Sequence, residues 1–316
     1  MSSSVNSSLP PSNQADRACA DFLAGALARE VGRELEVAGV SGQAATGALR
    51  DYHRTHVWPA RVERVFANLR GDARMREAFA PERYILVTAA RASLGRLASA
   101  RIAPDVQRLM LQEYEFFADP GEDWLNTFES GSRTSLAYAE LALLDRFSAG
   151  QLHWVVSGIP RSWMLQLSAR DYPRVLRSLW RMGGFHPCFF IHIVPPRSYL
   201  PILLERESTR SYYRMAECME LQPEIRGIVT ASWLNSDDTL RVSPHLRWMN
   251  KVILENGGTV SPIGYTPPDA GFLVGSPERQ RLYEAGEYRP RDGLVVWPRR
   301  AVLQWLARCR AAKQPI

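Results

Sequence analysis

Helix and strand signals alternate without a gap between Glu205 and Tyr265, and that alternation confines the chain to a layered α/β arrangement. A charged amphipathic run over Glu205–Leu221 passes through Pro223 into the apolar stretch Gly227–Trp233. A second run, Ser243–Asn256, opens on a Ser-Pro cap and leads into Thr259–Tyr265. The pattern also reaches upstream. Leu152–Ser157 and Cys188–Val194 are apolar runs of strand length, and Ser168–Met182 between them has helical spacing, with Pro173 in its first turn and Gly183-Gly184 beyond its end. From Leu152 the order is therefore strand, helix, strand, helix, strand, helix, strand. Leu294–Trp297 adds a short strand, and Pro298 starts an arginine-rich helix to Arg310. Pro262–Tyr288, rich in Gly, Pro and aromatic residues, reads as a long ordered loop or lid.

The first half carries a different period. Phe22, Leu23, Leu27 and Val31, set among small Ala18, Ala24 and Ala28, predict one helix over Ala15–Leu35. Val62, Val65, Phe66 and Leu69 form a stripe after Trp58-Pro59, ended by Gly71. Val106, Leu109, Met110, Tyr114 and Phe117 form another between Pro104 and Pro120, and Asp123–Phe147 a fourth, with Gly131 as a break. Residues 1–14, rich in Ser, Asn and Pro, read as a disordered tail. The expected organisation is a tail over 1–14, a helical region over 15–150 and a mixed α/β domain over 151–316 that carries the site.

No apolar run approaches the roughly 18 residues a membrane span needs. Residues 1–14 also lack the basic start and apolar centre of a signal peptide. The expectation is a cytoplasmic protein with no membrane partner. Cys19, Cys188, Cys218 and Cys309 form no CxxC pair, which argues against a zinc site or a disulfide framework and leaves buried thiols. His53 and His56 can share a helical face, yet no carboxylate follows at a metal-site spacing, so no metal is expected. The net charge is +6, and of 39 basic residues only Lys251 and Lys313 are lysines. Arginine forks recognise phosphate and carboxylate at two points, so the balance favours an anionic partner such as coenzyme A or tRNA.

Two stretches are placed to carry chemistry. In Arg206–Tyr213, Ser208 or Thr209 is expected to cap the coming helix. The free amides of the first turn, with Arg206, Arg210 and Arg214, would then hold a phosphate or carboxylate. The competing reading is a capped surface helix whose arginines pair with Glu207 and Glu217. In Arg226–Asn235, polar residues appear as the apolar strand ends, which assigns Ser232, Trp233 and Asn235 to a binding surface. Ser232 is not in a G-x-S-x-G elbow, which argues against a hydrolase nucleophile. His192, inside an apolar strand, and Glu205, after the run Tyr199–Leu204, are the groups suited to take up a proton. The competing reading of His192 is a hydrogen-bonded core residue.

The succession from Cys188 to Tyr265 resembles the core order of the GNAT acyltransferases: strand, anion-facing helix start, strand, helix, final strand. The resemblance covers about Leu152–Tyr265. It implies a GNAT-like mixed α/β (α+β) domain in which residues Glu205 to Arg210 face the donor's pyrophosphate. Arg206–Ser211 contains no glycine and so departs from the family's Q/R-x-x-G-x-G/A loop, and Tyr265 is a distant substitute for its acid tyrosine. Some proteins of this fold take an aminoacyl group from tRNA. The implied function is acyl or aminoacyl transfer from acyl-CoA or aminoacyl-tRNA to a small amine or hydroxyl, with no tightly bound cofactor. His192 or Glu205 would serve as base and Ser232 would support the oxyanion. Ser208, Thr209, Arg210, Trp233, Asn235 and Tyr265 would bind the substrates. The rival is a non-catalytic protein that contacts an acidic partner or nucleic acid through its arginines.

Overall fold

The computed structural model describes residues 11–72, 80–119, 132–185, 187–193, 204–267, 271, 273 and 276–312. Gly131, Pro195-Pro196 and, apart from Leu204, the expected run Tyr199–Leu204 lie outside them. The chain forms two compact units: residues 1–100, 104–148 and 195–200 make the first, and 101–103, 149–194 and 201–316 the second.

The first unit is helical among its described residues, apart from one short strand. Its helices are α1 (Pro11–Leu23), α2 (Ala26–Val37), α3 (Gln43–Thr55), α4 (Ala60–Gly71), α5 (Pro81–Ala98), α6 (Pro104–Ala118) and α7 (Arg133–Leu143), followed by β1 (Arg146–Ser148). The single helix expected over Ala15–Leu35 is two, parted at Ala24-Gly25, and α1 opens at Pro11, inside the expected tail. Helix α5 shows no single stripe because Pro81–Ala90 has no exposed side, with Ile85, Leu86, Val87, Ala89 and Ala90 buried, whereas beyond it Ser93 and Leu97 are buried and Arg91, Ala92, Gly95 and Arg96 are exposed. Its Arg83 caps α6: Nε donates to Phe117 O at 2.7 Å, and a second nitrogen to Ala118 O. These are carbonyls that the helix end leaves without partners. His53 Nε2 lies 3.0 Å from Glu140 Oε1, and Arg146 Nε donates to Glu140 Oε2 at 2.6 Å. His53 therefore belongs to a charge cluster, and among the described residues no group of three or more metal-ligating side chains converges.

The second unit is mixed α/β. Its elements are β2 (Leu152–Ser157), α8 (Arg161–Met164), α9 (Tyr172–Met182), β3 (Cys188–Ile193), α10 (Glu205–Leu221), β4 (Gly227–Ser232), α11 (Asp237–Val242), α12 (Trp248–Glu255), β5 (Thr259–Tyr265), α13 (Pro277–Glu284), β6 (Arg291–Pro298) and α14 (Arg299–Ala311). Its strands lie in the order β2-β3-β4-β6-β5, so the last strand made sits between two earlier ones. Only β3 and β4 are parallel; β2 with β3, β4 with β6 and β5 with β6 are antiparallel.

Side chains alternate across each strand and give the sheet two apolar faces. Val175, Leu179 and Met182 of α9 pack with Met164 on Cys188, Val229, Leu294, Val296 and Ile263. On the opposite face lie α10 and α14. The Tyr212 ring stands edge-on 5.8 Å from Trp297, Trp305 is 5.3 Å from it, and Trp297 Nε1 donates to Asn256 O of the chain after α12 at 2.9 Å. The expected single helix Ser243–Asn256 is a 3-10 turn (Pro244–Leu246) followed by α12, and Ser243 caps nothing through its side chain.

Candidate active site

The parallel pair parts early. β2 and β3 are in register over six residue pairs, as are β4 and β6, but β3 and β4 over two, Phe189 with Ile228 and Phe190 with Val229. Beyond them the Thr230 hydroxyl donates to Ile191 O at 3.1 Å. The strands separate at their carboxyl ends, where a crossover helix begins, and such an edge gathers ligands in α/β sheets.

Pairing directions bring most of the expected site residues to that edge. His192 and Ser232 end the parallel strands. Tyr265 ends β5, which runs the same way as β4 because both are antiparallel to β6. Helix α10 starts there too, since Gln151, next to the start of β2, accepts the Leu204 amide at 2.9 Å and the Ser208 hydroxyl at 3.3 Å through Oε1. The expected cap is therefore displaced. The helix begins at Glu205, its N-cap residue is Leu204, and Ser208 and Thr209 lie within the helix. Thr209 Oγ1 donates to Glu205 O at 2.9 Å, as side chains inside a helix do.

The charges of this helix start are largely met from within. Arg210 pairs with Glu207 at 2.8 Å, and Arg214 Nη1 donates to Ala149 O at 2.8 Å. Gly150 makes that last bond possible. Its φ is +111, and an added Cβ would stand 2.9 Å from the Arg214 guanidinium. Arg206 and Glu205 are exposed.

Alternation separates the two expected catalytic strand residues. With Phe190 opposite Val229, His192 shares a face with Ala231, and Ser232 faces the other way, towards the α10 side. His192 is half-buried, its ring 5.1 Å from Phe190, which is 5.7 Å from Trp163. Its cross-strand neighbour is His153, fully buried. Ser232 Oγ accepts the Leu234 amide at 3.2 Å, which leaves its O–H to donate.

The turn after β4 is held from several sides. Asn235 is buried, its carbonyl takes Asn250 Nδ2 at 2.9 Å, and its backbone sits where a Cβ on Gly293 would come within 2.6 Å. Arg279 stacks over Trp233 at 5.2 Å and donates to Ser243 Oγ at 3.1 Å, while the Tyr288 hydroxyl meets Thr239 Oγ1 at 2.9 Å. The segment expected as a loop or lid thus contains helix α13, and Arg279 and Tyr288 anchor it. Tyr265 is 73% exposed. Sequence reading missed Gln151, Thr230 and Arg279. Each acts on a residue at least 39 positions away, so no local spacing announces it.

No family model matches the chain, and no curated protein matches it. Among solved structures it is similar to an acyltransferase in complex with CoA and 10C-teicoplanin, at 14% identity over 89% of this chain and 88% of that one, with a TM-score of 0.49. It is also similar to an acyltransferase in complex with decanoyl-CoA, at 16% identity over 92% and 89%, TM-score 0.49. A third similar structure is an acyltransferase with decanoyl-CoA and teicoplanin, at 15% identity over 94% and 91%, TM-score 0.47. At these values the likeness assigns neither fold nor activity to this chain.

Proposed function

We propose that the second unit is a GNAT-like acyltransferase that moves an acyl group from acyl-CoA to a small amine or hydroxyl acceptor. The observation that carries this reading is the parallel pair that parts after two registered residues, at the edge where α10 begins. An opened strand pair offers backbone groups to an extended arm that carries amides, which is the chemistry of the pantetheine chain. The first-turn amides of α10, helped by Arg206, then face the donor's phosphates. Ser208 and Thr209 shape this start from inside the helix, and Arg210 holds Glu207 away from the anion.

In the reaction the acceptor nitrogen or oxygen attacks the thioester carbonyl, His192 takes its proton, and the C–S bond breaks. The proton passes to the departing thiolate. The strand-end amides in the gap between β3 and β4 would stabilise the oxyanion, and Ser232, which faces away from His192, would border the donor on the α10 side. Glu205 is the second candidate base, and Trp233, Asn235 and Tyr265 border the acceptor's approach. A tRNA donor is disfavoured because the arginines of α10 and α14 are mostly engaged internally. The non-catalytic rival is weakened for the same reason: Arg299, Arg308 and Arg310 all bind groups of this chain.

Calorimetry with CoA and octanoyl-CoA, together with thiol release over a panel of amines and alcohols, tests the reading. Both donors should bind saturably. His192→Ala should slow release by about 10²- to 10⁴-fold, the usual share of a general base, at unchanged donor affinity. Absence of binding by either donor would overturn the proposal. Full turnover in His192→Ala would remove His192 as base and pass the same test to Glu205.

A further inference from the structure

Helix α9 presents two exposed tracks side by side. At about 100° per residue, Tyr172, Leu176 and Trp180 lie within an arc of about 80°, and Arg177, Arg181 and Arg174 follow within the next turn of the surface. The remaining arc, with Val175, Ser178, Leu179 and Met182, is buried against the sheet. Tyr172 and Leu176 are 42% exposed and Trp180 82%, and Leu165, just upstream, is 89% exposed. Three large side chains exposed in one arc form the kind of apolar patch that marks a contact surface.

The cationic track is equally uncovered. Arg161, Arg170, Arg177 and Arg181 are exposed, and among the described residues none of them pairs with a carboxylate. Arg174 is the exception, anchored to Val260 O at 3.2 Å and to Asp171 at 3.7 Å. The helix itself holds no acidic residue, and Asp171 before it is buried against Ser168.

From these tracks we infer that α9 docks the protein on an anionic lipid surface. The Tyr172–Leu176–Trp180 ridge enters the headgroup layer, and Arg170, Arg177 and Arg181 meet lipid phosphates. Charge decides for an anionic partner. Shape decides for lipid over protein: the apolar track is a convex ridge about 12 Å long, which has no groove to receive a peptide and suits a soft surface instead. Tryptophan and tyrosine at the ridge's ends and arginines along its flank are the arrangement interfacial helices use. The lack of an apolar run long enough to span a bilayer does not bear on a helix that lies on one.

The test is flotation of the full chain with phosphatidylcholine vesicles, with and without phosphatidylglycerol. Binding should be about tenfold stronger on the anionic vesicles and weaken with salt. Trp180→Ser and the double variant Arg177→Glu/Arg181→Glu should each lose it, with circular dichroism and Tm unchanged because these side chains are exposed. Brominated lipid should quench the wild-type fluorescence more than that of Trp180→Phe. Equal binding to neutral vesicles, no binding, or variants that bind like the wild type would overturn the inference. So would a dimer in light scattering that Trp180→Ser dissolves without any vesicle binding, or binding to an acidic peptide alone.

Discussion

On the α10–α14 side of the sheet Arg299 Nη1 reaches the carbonyls of Met219, Gln222 and Ile225 at 2.7, 2.8 and 3.1 Å, and Arg310 spans Glu217 and Glu220 at 3.2 and 2.9 Å. On the α9 side Arg170, Arg177 and Arg181 extend into solvent. The same residue type closes a helix end in one layer and stays uncommitted in the other. A high arginine count is thus two populations, and only the second is available to a partner. Composition alone cannot divide them, because the carbonyls that Arg299 binds lie 74 or more residues earlier in the chain.

Stability measurements put this contrast at risk, and the largest effect belongs to Arg299. Replacing it with methionine removes one charged donor from three carbonyls at and just past the end of α10, and urea unfolding should show a loss of about 2–3 kcal/mol. A loss near zero would erase the difference between the layers. Arg310→Ala removes two half-exposed ion pairs and should cost about 0.5–1 kcal/mol, falling with added salt. Arg177→Ala and Arg181→Ala should each change stability by less than about 0.5 kcal/mol, since nothing in the fold uses them. A larger loss there would show that the α9 track is structural.

A thiol measurement sharpens the comparison further, with the smallest signal. Cys188 lies under α9 and Cys218 in α10, and burial pushes both thiols up to about 12. In mildly alkaline buffer neither holds much thiolate, so Ellman's reagent should react with both only as fast as the protein opens. Faster labelling of Cys188 than of Cys218 would mean the α9 layer opens on its own.

Strands β2, β3, β4 and β5 were legible within a residue, because they are short apolar runs bounded by Gly, Pro or polar clusters, whereas β6 begins at Arg291, three residues before the expected run Leu294–Trp297. Helix α10 was legible to its last residue. Their arrangement was not, since nothing in the run Leu294–Trp297 says that its strand inserts between β4 and β5. In the first unit α5 escaped because its first half, with no exposed side, has no stripe, and the break at Gly25 fell inside a continuous one. For the site, strand ends pointed to the right edge, whereas the face each side chain takes depends on register. One pairing, Phe190 with Val229, is what sets His192 and Ser232 back to back.

The insertion of β6 between β4 and β5 has a consequence for synthesis. While the ribosome has yet to release residues 291–298, β4 and β5 are both already made, and each keeps an unpaired ladder edge with Val229 or Ile263 beside it. Those edges are the kind that recruit other chains. A nascent chain stalled before Arg291 should therefore be a client for chaperones, and slowed translation through this stretch would lengthen the exposure.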